Sequence, residues 1–463
     1  MPSMTHHRKN LALTVSGVAL LATGVNVPST LAATAAGAAP VATPACGWPY
    51  AVNADVLSRD SSFNISNPDT GAAYWVMPFE VENGLRITLS GHYPDSRYMS
   101  VEVYSSSGSL FSEDGVTSAL ADYRIAPGPG SVNPWQHKAA PGGRFTITLQ
   151  SPVVPGEVNT LPLAPAGAAP GTEGLIFYRA YLPVNADPWL VPLPTVTSTL
   201  NGVTKRLPTC LVRPSSPPAS AEPTPPTGPT PTAPPGFPGE VYRPFARALA
   251  GTGGTPDAYQ AYLSAIIVPP LNGDVVVVRA KAPITPEGTA PATWPAPGEQ
   301  LRYWSMCVDL QPSPTPVVVN HLPGGKVDLG CRYDNQVELD AHGYYTFVLG
   351  TEAQRAAINR VPATTFLPFS TAFPADVYKL NLRNMLPGPG FSHAVQDVTA
   401  NADPATAAAV MGAYYPRAGI CSITSLAQHG PDACSPAVHP RRSNMDCHVK
   451  AQKCQPGSSL TPP

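Results

Sequence analysis

Five short segments recur in the same order about 200 residues apart. Residues 83–91 (NGLRITLSG) answer to 272–280 (NGDVVVVRA), and 97–100 (RYMS) to 302–305 (RYWS). Residues 142–150 (GGRFTITLQ) answer to 342–350 (HGYYTFVLG), 160–162 (TLP) to 366–368 (FLP), and 179–183 (RAYLP) to 383–387 (RNMLP). The offsets are 189, 205, 200, 206 and 204. A period of that length predicts tandem related domains rather than a solenoid, whose repeats run about 20–50 residues. The step after the first pair marks an insertion over about Pro283 to Pro297.

Between the halves, residues 214–239 hold eleven prolines in 26 positions. Such a stretch cannot build a core and reads as a semi-rigid spacer that rises about 3.1 Å per residue where extended. At the other end of the scale, the matched blocks read as strands. Leu85, Ile87 and Leu89 alternate on one face, and Val275 to Val278 is a continuous β-branched run. Turn clusters such as Pro127-Gly128-Pro129-Gly130 and Pro323-Gly324-Gly325 separate them. Charged residues make up only 13% of the chain. That is half the usual share, and it argues against a mostly helical fold. Helical signal gathers in 403–415, with Asp403 as N-cap and Pro404 in the first turn, and in 351–359.

The fold class expected is therefore all-β: two tandem, internally duplicated, jelly-roll-like β-sandwich domains. The expected boundaries are a signal peptide at 1–38, a first domain at 39–213, the Pro-rich linker at 214–239, a second domain at 240–434 and a flexible cysteine-containing tail at 435–463. The leader reading rests on His6, His7, Arg8 and Lys9, the apolar run from Leu11, and A-x-A sites at Ala33 and Ala36. That apolar run is about 13 residues, shorter than the roughly 20 that span a bilayer. Eight cysteines fit an oxidising compartment. Their order relative to the halves suggests the pairs Cys46–Cys210, Cys307–Cys331, Cys421–Cys434 and Cys447–Cys454. The net charge of −2 offers no basic stripe for nucleic acid. Because the linker lacks core-forming residues, each half is expected to fold as its own cooperative unit.

RYWSMC, LDAHGYYTFVLG, FLPF, RNMLP and AAVMGAYYPRAGIC resemble segments of an uncharacterised family of exported bacterial proteins. The strand order likewise resembles a widespread β-sandwich domain of unknown function. The resemblance covers most of the mature chain. It implies export and the two-sandwich architecture, and it brings no reaction.

Common catalytic signatures are missing: there is no G-x-S-x-G, S-x-x-K, H-E-x-x-H or G-x-x-x-x-G-K. Glu338 and Asp340 read as a carboxylate pair on one strand face, at a spacing glycosidases use, and more simply as a solvated pair beside a turn. Asp340 with His342, or Cys447 and His448 with Cys454, falls short of a recognised zinc spacing, so no metal and no cofactor are expected. The six tryptophans could form a binding patch, or pack as core.

The polar positions shared by both halves are Arg97 with Arg302 and Arg179 with Arg383. Arg97 and Arg302 each start an apolar strand face, where a guanidinium must be paired. Asp95 and Glu299 are nearby candidates, as are carboxylates from a neighbouring strand. The four arginines are read either as ties at a sandwich rim or as a binding site for a carboxylate, a phosphate or a sugar acid. The function expected is a secreted, extracellular binding or structural protein without catalysis. Its partners would be a cell-surface or extracellular glycan or an anionic ligand, with no nucleic acid and no membrane span. The alternative is a secreted hydrolase acting on glycans or esters at a sandwich cleft.

Overall fold

The β-branched and aromatic runs form extended strands in the computed structural model, which describes residues 45–211, 241–247, 254–270 and 273–436. The expected leader 1–38 and linker 214–239, together with Cys447, Cys454 and the rest of the chain beyond 436, lie outside the described residues. The chain is mostly β, in several sheets.

Two five-stranded sheets form before the Pro-rich stretch. One runs Tyr50–Val52, Ala72–Glu80, Glu173–Pro183, Ser96–Ser105, Ala119–Ala121. The other runs Val203–Arg206, Thr195–Leu200, Arg86–His92, Arg144–Gln150, Thr160–Pro162. Two more follow it, and their strand orders match. The third sheet runs Val241–Arg247, Gln260–Ile267, Tyr378–Pro387, Leu301–Leu310, Cys331–Tyr333. The fourth runs Thr365–Pro368, Tyr344–Gly350, Asp274–Lys281, Arg417–Ser422, Ser435–Pro436. In each half the last short strand of the second sheet is parallel to its neighbour, as Thr148 opposite Thr160 and Phe347 opposite Thr365 show.

Strand alternation sends one face of each sheet into a core. Trp75, Met77, Met99, Val101 and Val103 of the first sheet meet Ile87, Leu89, Ile147 and Leu149 of the second. Leu263, Trp304, Met306 and Leu380 of the third meet Val276, Val278, Phe347 and Leu349 of the fourth. Of the six tryptophans, Trp48, Trp75, Trp135, Trp294 and Trp304 are buried. Trp189 is half-buried with its indole N–H on Asp55 at 2.9 Å.

Short helices fill gaps beside the sheets. Pro404–Met411 is capped by Asp403, whose carboxylate accepts from the Thr406 N–H. Glu352–Ile358 is the second helix read from sequence. Among the described residues, no helix is long and apolar enough to cross a membrane.

The first and third sheets use their remaining faces on each other. Tyr74, Val76, Tyr98, Tyr104, Phe177 and Tyr181 from the first half share one buried cluster with Tyr303, Cys307, Met385 and Leu386 from the second. This corrects the expectation of two independent units. Strand Leu301–Leu310 is buried at every position, which requires cover on both faces. The second cover is the other half.

Three of the four expected disulfides close here: Cys46–Cys210, Cys307–Cys331 and Cys421–Cys434. Cys307 lies directly opposite Cys331 in an antiparallel pair, which sets the two side chains within reach.

Candidate functional site

All four shared arginines end in the seam between the halves, and none is more than 2% exposed. Arg97 stands where its strand leaves the first-half core. Its Nη1 donates to Asp334 of the second half at 2.6 Å, and its Nε to the Gly288 carbonyl at 2.9 Å. Its Nη2 donates to Asn335 and to the same Gly288 carbonyl. Arg302 reaches the opposite way. Its Nη2 meets Asp122 of the first half at 3.1 Å, and its Nε and Nη2 donate to the Arg97 carbonyl at 3.1 and 2.8 Å. The ties are reciprocal: each half sends an arginine to a carboxylate of the other.

The second pair of arginines behaves alike. Arg179 donates to Glu102 of its own half, to the Tyr104 hydroxyl at 2.5 Å, and across the seam to the Thr255 carbonyl at 2.7 Å. Arg383 donates to Cys307 Sγ of its own half and across the seam to the Asn67 carbonyl, with Asp69 at 3.8 Å. Each Arg sits beside a Pro-Asp turn from the other half. Asp69 accepts from the Gly71 N–H at 2.9 Å, and its other oxygen accepts from Tyr303 at 2.9 Å and Ser305 at 2.7 Å of the second half. Asp257 accepts from the Tyr259 N–H at 2.9 Å and from Tyr98 of the first half at 3.4 Å.

Matching kinks hold these turns. Leu182 and Leu386 both adopt positive φ, 48° and 45°, immediately before Pro183 and Pro387. That is costly backbone for a side chain of this size. The kink points the Leu182 N–H at the Gly71 carbonyl (2.9 Å) and the Leu386 N–H at the Tyr259 carbonyl (3.0 Å). The shared Leu-Pro dipeptides of RAYLP and RNMLP are the sequence trace of this feature.

Burial dominates the electrostatics. It pushes Asp122 up to about 6 and Arg302 down, outweighing the attraction between them. It raises Asp334 against the pull of Arg97, and raises Asp257 against Arg179. Asp309, on the seam face of its strand, is fully buried, and neither carboxylate oxygen has a hydrogen-bond partner. Burial pushes it up to about 7, although Arg383 and the facing Lys379 pull it down.

The arrangement binds an anion, but the anion is the protein's own carboxylate. Arg97 and Arg302 were expected beside Asp95, Glu299 or a carboxylate of a neighbouring strand; their ion pairs fall on Asp334 and Asp122 of the other half, while Arg179 pairs with Glu102 of the neighbouring strand. Those two partners left no mark in the sequence, but other seam residues did. Asp69 and Asp257 each follow a proline, and the insertion predicted over 283–297 contributes Gly288 and Trp294, which wrap Arg97 and Trp135.

Elsewhere the candidates separate. Glu338 and Asp340 lie in a loop with one isolated bridge at Leu339, not on a strand, because Asp340 opens the turn that His342 and Tyr344 complete. Burial opposes ionisation of Asp340, but hydrogen bonds from the Tyr344 N–H, Arg279 and the His342 N–H together outweigh it and hold the carboxyl at about 2. Its Oδ2 lies 2.6 Å from Arg279, so it is an ion-pair partner rather than a free base. Asp69, Cys307 and Cys331 offer ligand atoms within 4.8 Å of one another, yet both sulfurs are in a disulfide and present no thiolate. A hollow at the seam edge beside Gly71, Asn53, Thr289 and Tyr333 holds about 40 Å³, room for a few waters.

No family model matches the chain, and no curated protein matches it. Among solved structures, it is similar to an uncharacterised protein from Burkholderia cenocepacia, at 12% identity and a TM-score of 0.43, covering 79% of this chain and 81% of that one. It is also similar to the VPA0106 protein from Vibrio parahaemolyticus, at 13% identity and a TM-score of 0.36, covering 76% of this chain and 90% of that one.

Proposed function

We propose that the chain is an exported binding or structural protein that catalyses no reaction, built from two duplicated β-sandwiches joined by a Pro-rich linker. The observation that carries this reading is the fate of its shared polar residues. Arg97, Arg179, Arg302 and Arg383 are used to join the halves and are closed to an outside ligand. An enzyme needs convergent titratable groups facing a cavity. Here the strongly shifted carboxylates, Asp122 and Asp309, face buried protein. The disulfides and the leader-like N-terminal sequence support the extracellular placement. An extracellular glycan or anionic ligand, if this protein binds one, is met by exposed residues outside the seam.

The test combines turnover with binding. The purified mature protein is expected to leave model esters, peptides and glycans unchanged; measurable hydrolysis overturns the reading. On a glycan and lipid array, Arg97→Ala and Arg302→Ala are expected to keep wild-type retention while lowering the unfolding midpoint. Each leaves a carboxylate buried and unpaired, which costs about 3–5 kcal/mol. Loss of retention at unchanged stability would place the ligand at the arginines instead.

A further inference from the structure

Strand register fixes which seam positions correspond between the halves. Ser100 lies opposite Arg179 and Ala121, and Ser305 opposite Arg383 and Tyr333. Ala121 and Tyr333 therefore hold the same place. Arg179 lies opposite Tyr74, and Arg383 opposite Tyr262. The Tyr74 hydroxyl accepts the Asp69 N–H at 3.2 Å just as the Tyr262 hydroxyl accepts the Asp257 N–H at 3.4 Å, the aspartate standing five residues earlier in each case. Two residues beyond those aspartates stand Gly71 and Tyr259, whose carbonyls receive the matching leucine N–H groups. Gly71 and Tyr259 are the second corresponding pair.

These two places meet across the seam. At one end Tyr259 lies over Ala121: the Tyr259 hydroxyl accepts the Ala121 N–H at 3.1 Å and donates to the Ala119 carbonyl at 3.0 Å. At the other end Tyr333 lies over Gly71. A Cβ on Gly71 would stand 2.8 Å from the Tyr333 ring and 2.7 Å from the Tyr303 hydroxyl. The first half supplies the small residue at both ends, and the second half supplies the tyrosine at both.

We propose that this is a partner-selecting surface: the tyrosine-bearing face of the second half fits a first-half face and rejects a second copy of itself. The inference rests on reading the halves as duplicates. Two first-half faces together would leave two hollows where Gly71 meets Ala121. Two second-half faces would drive Tyr259 into Tyr333 twice. The ion pairs cannot make this distinction, because Arg97–Asp334 and Arg302–Asp122 are alike at both ends. These four residues add a discrimination by shape, a built-in clash against the wrong pairing.

The full-length chain tests it by exchanging knob and hole. Ala121→Tyr and Tyr259→Gly are each expected to lower Tm by several degrees, the first by collision and the second by an unfilled space. Together they rebuild the Tyr333–Gly71 arrangement, and the double variant is expected to regain at least half of the summed loss. Gly71→Tyr with Tyr333→Ala repeats the exchange at the other end, made in a Tyr303→Phe background that removes the hydroxyl a Gly71 Cβ would meet at 2.7 Å. Gly71 lies outside the left-handed region, so its backbone accepts a side chain. Additive losses at both ends overturn the proposal. Asp122→Asn and Asp334→Asn separate it from the reading beneath it. Equal losses from these two, with a failed exchange, reject only the selecting surface. Unequal losses with a failed exchange reject the equivalence of the halves.

Discussion

Asp309 gives the seam a pH dependence that can be signed. Its carboxyl is pushed up to about 7 in the folded chain, above its value of about 3.9 when unfolded. The folded state thus holds the proton more tightly. The stability this contributes is complete below about pH 4 and is lost as pH rises to about 7, by roughly 4 kcal/mol at most. Asp122, held at about 6, acts in the same direction. Asp309→Asn places a neutral group there at every pH. The variant is expected to gain on wild type as pH rises from 4 to 8, in urea unfolding midpoints. Parallel pH curves for the two proteins would show that Asp309 is not the titrating group. At this scale the burial of Arg97 and Arg302 was legible, since each begins an apolar strand face. Their partners were not legible, because Asp334 and Asp122 lie 237 and 180 residues away, on the other half. Asp309 was hidden for the same reason: only the facing sheet buries its side of the strand.

Among the elements, the ends of the first half are tied by more than their disulfide. The Gly47 N–H donates to the Pro208 carbonyl at 2.8 Å, and the Cys210 N–H returns to Gly47 at 3.1 Å, beside the Cys46–Cys210 bridge. The bridge spans 164 residues, for which loop closure predicts about 5 kcal/mol of stabilisation. Cys46→Ser with Cys210→Ser is expected to cost about 2–5 kcal/mol, measured by denaturant unfolding. An unchanged midpoint would mean that the strand ends hold without it. Elements with strong local grammar were readable in advance. Asp403 and Pro404 mark a helix start, and the alternation of Leu85, Ile87 and Leu89 marks a strand with one buried face. The segment around Glu338 misled, because its polar and apolar alternation mimics a strand while Asp340 and Gly343 form a turn.

For the whole molecule, the seam decides how the chain unfolds. Buried tyrosines, two reciprocal ion pairs and two Pro-Asp turns would all be exposed if one half left the other. An unpaired buried charge is costly, and an exposed apolar face of this kind favours association. Neither half can therefore melt without destabilising its neighbour. The Pro-rich spacer suggested separable units, because composition reports what a linker cannot do and says nothing of surfaces beside it. The sign of a shared seam was present only indirectly, in strands such as Leu301–Leu310 whose two faces both lack charge apart from Arg302 and Asp309. Thermal or urea unfolding is expected to show one transition, with fluorescence and circular dichroism midpoints coinciding. Proteolysis between residues 214 and 239 is expected to cut the chain yet leave both pieces eluting together in gel filtration under native conditions. Two resolved transitions, or fragments that separate without denaturant, would show that the seam does not hold the halves in solution. Arg97→Ala combined with Arg302→Ala then sharpens the test. With both reciprocal ties removed, the cut pieces should part at a lower urea concentration than the cut wild type, while the linker of the uncut chain keeps the halves at high local concentration and holds them together longer.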